Sequence, residues 1–331
     1  MISFDQKRLD EIISGYYGKR IMILGDLMID EYLIGSVSRI SPEAPVPVIE
    51  VNDQTHRLGG AANVALNTTA LGCETVMVGI IGDDMYGDLM LERLKDRHVS
   101  GEGVFRLKNR PTTVKTRIIG DSQHIARVDR EDNRYLDESD SKRLLTAFEI
   151  LIGSVHAIIL QDYNKGVLTE GIITQVITRA KEKKILISVD PKFKNFLKYR
   201  NVSLFKPNIK ETEQALAMKI SNEKDLDKAG KKLLNSLQAD SVLITRGSAG
   251  MSLFEKNGSI THVPTRARKV ADVSGAGDTV ISTLTAALVG GASFQEAATI
   301  ANYAAGIVCE EIGIVPVEAE KLYRLCLGQS S

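Results

Sequence analysis

Short apolar runs alternate along the chain with segments in which apolar residues recur at helical spacing. Because continuously apolar strands separated by helices are covered on both faces, this pattern predicts an α/β fold with a central, mostly parallel sheet between two layers of helices. The predicted strands are Arg20–Gly25, Thr75–Ile81, His156–Gln161, Ile185–Asp190, Ser203–Lys206 and Ser241–Thr245. The predicted helices between them are Ala61–Leu71, Met85–Arg97, Ser141–Leu151, Glu170–Lys183, Lys210–Leu216 and Lys224–Leu237. Three further helices are expected to start near Ala276, Ser293 and Val317.

Two polar stretches interrupt this alternation, Asp30–Arg57 and Glu102–Arg130. Parts of both have period two, as in Thr112–Ile118, which is typical of antiparallel strands with one solvated face. We therefore expect a small β-sheet lid, inserted at about residues 30–57 and 102–130 into a single domain that spans residues 1–331. The apolar face of such a lid would be covered if two chains paired, so a homodimer is expected.

Composition narrows the class of protein. The chain has 331 residues, 43% of them hydrophobic and 25% charged, which is ordinary for a globular protein. A formal net charge of zero argues against nucleic-acid and anionic-membrane partners. Three cysteines without a C-x-x-C pair fit a reduced, cytoplasmic setting, and the scattered histidines lack zinc-ligand spacing. No signal peptide or membrane-spanning run is evident.

Polar residues follow the ends of several predicted strands, where open α/β sheets bind ligands. A single aspartate at such a position is often only a helix N-cap, but several clusters at one edge favour a binding site. The clusters are Asp26 with Asp30, Asp162 with Lys165, Asp190 with Lys192, Asn208 with Glu211, and Thr245-Arg246-Gly247.

The segment Asp-Val-Ser-Gly-Ala-Gly-Asp-Thr at residues 272–279 carries the most specific chemistry. A glycine turn that opens a helix leaves N–H groups bare, and these attract anions. The carboxylate of Asp278 beside them suits a base that takes a proton from a hydroxyl while the turn holds a phosphoryl group. Capping alone would explain an isolated turn of this kind. The spacing is neither that of a Walker A loop nor that of the dinucleotide fingerprint.

Taken in order, these motifs resemble the ribokinase family of carbohydrate kinases over essentially the whole chain. The resemblance rests on Gly25-Asp26-x-x-x-Asp30, Gly59-Gly60-Ala61-Ala62-Asn63, Asn208-x-x-Glu211, Thr245-Arg246-Gly247-x-x-Gly250 and Gly275-Ala276-Gly277-Asp278. It implies a ribokinase-like fold, ATP as co-substrate and Mg²⁺ as cofactor. Whether a monovalent cation is also needed is left open.

The segment Ser38–Val48 is similar to one subfamily, the D-glycero-β-D-manno-heptose-7-phosphate kinases of the ADP-heptose pathway for lipopolysaccharide. Asp162-Tyr163-x-Lys165-Gly166 and Asp190-Pro191-Lys192 support the same likeness. In many bacteria this kinase is fused to a C-terminal adenylyltransferase. This sequence has no H-x-G-H motif, so we expect adenylyl transfer to belong to another protein.

The resemblance also implies roles for individual residues. Asp278 would be the base for the anomeric C1 hydroxyl, with Gly275, Ala276 and Gly277 stabilising the transferring phosphoryl group. Asn208 and Glu211, one helical turn apart, would hold Mg²⁺ through water. Thr245, Arg246 and Gly247 would contact the ATP phosphates, with adenine between the 263–273 loop and Asn302.

On the sugar side, Asp30 and Asn63 would bind ring hydroxyls, and Gly59 and Gly60 would allow close approach. Asp162 and Asp190 are further candidates at strand ends. A 7-phosphate requires cations, and Lys165, Lys192 and Arg39 are preferred over Lys115, Arg117 and Arg127. Two alternatives remain, a kinase of the same fold acting on another sugar or sugar phosphate, and a non-catalytic sugar-binding regulator.

Overall fold

Thirteen strands and ten helices form the described part of the chain. In the computed structural model this part is residues 2–265, 271–311 and 313–329. The strands are β1 (Arg20–Gly25), β2 (Leu27–Ile40), β3 (Pro47–Gly60), β4 (Glu74–Gly82), β5 (Val99–Leu107), β6 (Thr113–Gly120), β7 (Gln123–Arg130), β8 (Ala157–Gln161), β9 (Leu186–Asp190), β10 (Leu204–Phe205), β11 (Ser241–Thr245), β12 (Met251–Glu255) and β13 (Ile260–Val263). The helices are α1 (Gln6–Tyr16), α2 (Ala61–Ala70), α3 (Met85–Asp96), α4 (Glu138–Leu151), α5 (Glu170–Glu182), α6 (Ile209–Leu216), α7 (Glu223–Leu237), α8 (Ala276–Val289), α9 (Phe294–Cys309) and α10 (Ala319–Cys326).

The large sheet has the order β13-β12-β11-β10-β9-β8-β1-β4-β5, and its strands from β11 to β5 run parallel. Successive residues of β1 point to opposite faces. Ile21 and Ile23 pack with α1, α2, α8 and α9, while Met22 and Leu24 pack with α4, α5 and α7. Two apolar clusters on the two faces of the sheet confirm the predicted helix–sheet–helix layering.

Most helices begin where the sequence supplies a cap. Thr169 and Ser293 each accept a hydrogen bond from a backbone N–H of the first turn, and Ser293 completes a capping box with Glu296. Helix α8 differs, because Gly275 precedes it with φ 80° and no side chain caps it. In the described part of the chain, α2 and α10 also begin without a side-chain cap, so α8 is one of three helices whose starts are left open.

The lid is a second sheet with the order β3-β2-β6-β7. Two predictions about it were wrong. The start of the stretch predicted at Glu102–Arg130 is the end of β5, which pairs with β4 in the large sheet. Strands β2 and β6 run parallel, although antiparallel pairing was expected throughout. Apolar and polar residues alternate in any strand that has one covered face, whether the strand lies at the edge of the large sheet or in the lid. The alternation therefore could not show which sheet a strand joins.

Some elements lay outside the sequence predictions. Helix α1 packs Leu9 and Ile12 on the large sheet, and the β12–β13 hairpin extends that sheet by two antiparallel strands.

No helix of the described residues is long and apolar enough to cross a membrane. The three cysteines are buried and unpaired.

The loop after β8 is fixed by a carboxylate at the end of β1. Asp26 is 1% exposed and accepts hydrogen bonds from the backbone N–H groups of Tyr163 (2.7 Å), Lys165 (3.0 Å) and Val167 (3.2 Å). Burial raises the pKa of Asp26, and these three hydrogen bonds oppose the rise. Because strands β1 and β8 are neighbours, this contact sets where Tyr163 stands above the sheet edge.

Candidate active site

A cavity of about 710 Å³ opens at the carboxyl ends of the parallel strands, where the sequence places its polar clusters. Its volume lies within the range of small-molecule sites, roughly 300–1,000 Å³. The fold brings most of the predicted residues to it. Those lining it are Asp190, Lys192, Asn208, Glu211, Thr245, Arg246, Gly247, Gly275, Ala276, Gly277, Asp278 and Asn302.

The start of α8 forms one wall of this cavity and has bare donors. In the part of the chain that the structure describes, the backbone N–H groups of Gly277 and Asp278 have no hydrogen-bond partner. Asp272 fixes the preceding turn by accepting from the backbone N–H groups of Ser274 (2.9 Å) and Gly313 (3.1 Å). Unpaired donors at the positive end of a helix dipole make this turn a suitable site for an anion.

Asp278 is 5% exposed and is held by three side chains. Its Oδ2 accepts from Asn63 Nδ2 at 2.8 Å, and its Oδ1 accepts from the Tyr163 hydroxyl at 2.8 Å and from Gln161 Nε2 at 3.2 Å. Burial, with the charge of Asp190, raises the pKa of Asp278 to about 6, and the Asn63 and Tyr163 hydrogen bonds oppose this rise. A carboxylate with a pKa just below neutrality suits a general base.

Sequence reasoning missed two contributors next to Asp278. Lys206, at the end of β10, is 3% exposed and forms a 3.0 Å ion pair with Asp190. A Cβ placed on Gly277 would lie 3.6 Å from its Nζ, so this cation borders the glycine turn. Gln161 donates to Asp190 and Asp278, but its buried Oε1 has no partner among the described residues. Each is the last residue of a predicted strand, and this position could have identified both as candidates for the site.

Asn208 and Glu211 form a capping box at the start of α6. Asn208 Oδ1 accepts from the Glu211 N–H at 2.8 Å, and Glu211 Oε2 accepts from the Asn208 N–H at 2.9 Å. The other oxygen of Glu211 is paired with Lys192, whose Nζ lies 5.6 Å from the centre of the Tyr163 ring. Asn208 and Glu211 therefore cap a helix, and the same two residues line the cavity.

The far end of the cavity is formed by β11 and α9. Thr245 is joined to Asn208 by a backbone bridge, and Arg246 carries a buried Nε without a partner among the described residues. Asn302 donates from Nδ2 to the Pro264 carbonyl at 2.7 Å. Of the predicted 263–273 adenine loop, residues 266–270 lie outside the described residues.

Asp30, Gly59 and Gly60 meet at the base of the lid. The Asp30 carboxylate is paired with Arg117, and a Cβ on Gly59 would lie 2.1 Å from Asp30 Oδ2. Gly60 has φ 58°, and a Cβ there would lie 2.5 Å from the Asp26 carbonyl. Both glycines are therefore required sterically where β3 passes Asp30 and enters α2. Asn63, in the first turn of α2, connects this corner to Asp278.

Comparison with known proteins identifies the family. The model of the pfkB family of carbohydrate kinases matches residues 19–320. The chain belongs to the pfkB family of carbohydrate kinases. Among curated relatives it is 40% identical over 309 residues to the bifunctional protein HldE of Geobacter metallireducens, and 42% identical over 303 residues to that of Citrifermentans bemidjiense. These alignments cover 93% and 92% of this chain but only 63% and 62% of the relatives.

Solved structures share the fold of this carbohydrate kinase. Arabidopsis thaliana ribokinase, complexed with ribose and ATP, superposes with a TM-score of 0.74 at 20% identity, covering 93% of this chain and 99% of that chain. Phosphofructokinase-2 from Escherichia coli, in complex with substrates and products, gives 0.76 at 19% identity, covering 95% and 100%. The predicted ribokinase-like fold with a small second sheet is thus confirmed.

Some predicted substrate residues of the kinase do not reach the cavity. The Asp162 carboxylate is buried and accepts from the Tyr199 hydroxyl at 2.6 Å and the Asn164 N–H at 2.7 Å. Lys165 Nζ lies 2.7 Å from Glu131 Oε2. Arg39 is exposed on the distal part of β2, nine residues beyond Asp30, or about 30 Å at roughly 3.3 Å per residue.

Two further basic candidates are also paired with carboxylates outside the cavity. Lys115 Nζ lies 3.0 Å from Asp129 and 3.2 Å from Glu131, and Arg127 pairs with Asp129 at 2.9 Å on the exposed strand β7. The neutralising carboxylates come from neighbouring chain segments, so strand-end position alone could not separate a ligand-binding lysine from a paired one.

The raised pKa of Asp278 predicts an acid limb in the pH dependence of the kinase. A base must be ionised, so kcat/KM should fall about tenfold per pH unit below pH 6, whereas an aspartate at its ordinary pKa of 3.8 would stay ionised to about pH 4. Initial rates between pH 5 and 8, with circular dichroism confirming an intact fold at each pH, measure this. A rate independent of pH down to 5 would contradict the assignment.

Proposed function

We propose that this kinase transfers the γ-phosphoryl group of ATP to the anomeric C1 hydroxyl of D-glycero-β-D-manno-heptose 7-phosphate, giving heptose 1,7-bisphosphate and ADP. One observation carries the proposal of phosphoryl transfer. A buried carboxylate, Asp278, stands in the first turn of a helix whose Gly277 and Asp278 N–H groups are unpaired within the described chain. Such a pairing of base and anion site is what attack by a hydroxyl on a phosphoryl group needs.

In the proposed step the C1 hydroxyl gives its proton to Asp278 as its oxygen bonds to the γ-phosphorus. The bond between the γ-phosphorus and the bridging oxygen breaks, and ADP leaves with that electron pair. The bare N–H groups and Lys206 would stabilise the charge on the transferring group. Asn63 and Tyr163 hold the carboxylate in place for the proton.

ATP would lie in the cavity, with its phosphates between Asn208, Thr245, Arg246 and the glycine turn. A structural neighbour, the Arabidopsis ribokinase, was solved with ribose and ATP, which supports ATP as the co-substrate. Mg²⁺ would neutralise phosphate charge there. Both oxygens of Glu211 already have protein partners, so Glu211 and Asn208 fit the ion through water, which Mg²⁺ retains readily.

The choice of a heptose phosphate rests on sequence likeness. Residues 38–48 resemble the heptose-7-phosphate kinases, and the curated relatives are bifunctional proteins of which this chain spans somewhat less than two thirds. Relatives that carry two activities fit a heptose-phosphate kinase, because in many bacteria that kinase is fused to an adenylyltransferase. A panel of sugars and sugar phosphates, assayed for ATP consumption with the position of the new phosphate identified, separates this substrate from other sugars.

Replacement of the proposed base gives the most direct test. We expect Asp278→Asn to lower kcat at least a hundredfold, because general-base catalysis typically contributes about 10²–10⁴. Since the buried carboxylate has a raised pKa, its charge opposes folding at neutral pH, so the melting temperature should not fall. ATP binding by calorimetry should be nearly unchanged. A variant that keeps more than about a tenth of the wild-type rate would contradict the role.

The metal role of Glu211 can be separated from its capping role. We expect Glu211→Gln to raise the Mg²⁺ concentration needed for half-maximal rate several-fold, because one carboxylate charge is lost beside the phosphates. Glu296→Gln is the matched control, since Glu296 completes the capping box of α9 in the same way, by accepting from the Ser293 N–H at 2.7 Å. If both variants leave the Mg²⁺ titration unchanged, Glu211 is only a cap.

We also propose that two chains pair through their lids. Several large apolar side chains are 50–61% exposed on this small sheet, an unusual density for a surface left in water. They are Ile40, Val46, Val51 and Val128. Light scattering at micromolar concentration should give twice the chain mass, and Val51→Asp with Val128→Asp should reduce it to one. The mass of a single wild-type chain would refute the dimer.

A further inference from the structure

Two guanidinium groups share one tyrosine ring inside the lid. The Cζ atoms of Arg57 and Arg117 each lie 5.2 Å from the centre of the Tyr32 ring. In the lid register Arg57 pairs with Asp30 and Arg117 with Tyr32. Because residues two apart on a strand share a face, all four side chains stand on the face that carries Asp30. Two cations held side by side repel unless an anion lies near them.

The carboxylate of Asp30 balances the positive charge of only one of the two arginines. Arg117 is paired with the Asp30 carboxylate. Arg57 donates from Nη1 to the Ile314 carbonyl at 3.2 Å, and no carboxylate of the described residues lies within 4 Å of it. A Cβ on Gly313 would come within 2.3 Å of Arg57 Nη1, so a glycine makes room for this guanidinium. Arg57 is thus a half-buried, positioned and uncompensated charge.

This cluster borders the proposed sugar site rather than the ATP cavity. Ile314, which accepts from Arg57, also packs beside the glycine turn, since a Cβ on Gly275 would lie 3.4 Å from its Cγ2 and 3.1 Å from Asn63 Nδ2. Asn63 in turn donates to Asp278. A sugar whose C1 hydroxyl meets Asp278 and whose ring meets Asp30 would direct its far end toward the two arginines.

We propose that Arg57 and Arg117, stacked on Tyr32, bind the phosphate that the sugar substrate already carries. This inference rests on the proposed function and deepens it, by assigning the second anionic group of the substrate to named residues. Planar guanidinium groups match a phosphate with paired hydrogen bonds, which single-point ammonium groups do not. Arg117 would link the two ends of the sugar, because it also fixes the carboxylate of Asp30.

The test compares two sugars, D-glycero-D-manno-heptose 7-phosphate and the same heptose without phosphate. We expect Arg57→Gln to lower kcat/KM for the phosphorylated sugar about ten- to a hundredfold and for the unphosphorylated sugar less than threefold. Arg57→Lys should recover part of the loss. Arg130→Gln is the control, a lid arginine on β7 that pairs with Asp84 at 3.4 Å and should be neutral with both sugars. Melting temperatures show whether each variant is folded.

The outcomes separate this inference from the function on which it rests. If wild type prefers the phosphorylated sugar but Arg57→Gln and Arg57→Lys lose equally on both sugars, or not at all, the arginine cluster is overturned and the proposed substrate stands. If wild type shows no preference for the phosphorylated sugar, the proposed substrate is wrong and the cluster has no phosphate to bind. A selective loss in Arg57→Gln, absent in Arg130→Gln, supports both.

Discussion

The site depends on one buried carboxylate that does no chemistry itself. Asp26 directly follows strand β1 and accepts three backbone hydrogen bonds from the loop after β8. Leaving those donors buried without a partner would cost about 1–3 kcal/mol each, so the loop has little freedom to move. Tyr163 begins that loop, and its hydroxyl contacts Asp278 at 2.8 Å. The position of the proposed base is therefore set from a strand that is distant in sequence.

Charges of opposite sign alternate around the cavity. Lys206 is paired with Asp190 and Lys192 with Glu211, while Asp278 forms no ion pair with any of the described residues. Buried pairs of this kind contribute little net stability, because desolvation offsets their attraction. In the proposed phosphoryl transfer their value is positional, since the ammonium group of Lys206, already held at the glycine turn, would meet phosphate charge without reorganising. Burial, with the charge of Asp190, raises the pKa of Asp278, and Lys206 opposes this rise.

The lid brings the proposed sugar-binding residues to the cavity through close backbone packing at two glycines. Gly59 allows β3 to pass within contact distance of the Asp30 carboxylate, and Gly60 adopts a backbone conformation that side chains disfavour as the chain enters α2. Asn63 then reaches Asp278 from the first turn of α2. One short segment thus joins lid, helix and proposed base, and Arg57 lies only two residues before it.

The sequence by itself determined the layered fold, most boundaries of the elements it predicted and many of the residues that line the cavity. Strands of a parallel sheet are buried on both faces and are therefore continuously apolar in sequence. Polar side chains that bind ligands lie at the carboxyl ends of such strands. It could not decide that Val99–Leu107 joins the large sheet, because period two marks any half-covered strand. Nor could it decide which cations are available to a ligand. Lys165 is paired with Glu131, Lys115 is paired with Asp129 and Glu131, and Asp162 is turned to Tyr199. Arg57, by contrast, donates to a carbonyl, stacks on Tyr32 and has no carboxylate of the described residues within 4 Å. Charge compensation depends on distances between segments far apart in the chain, and only the tertiary structure sets those distances.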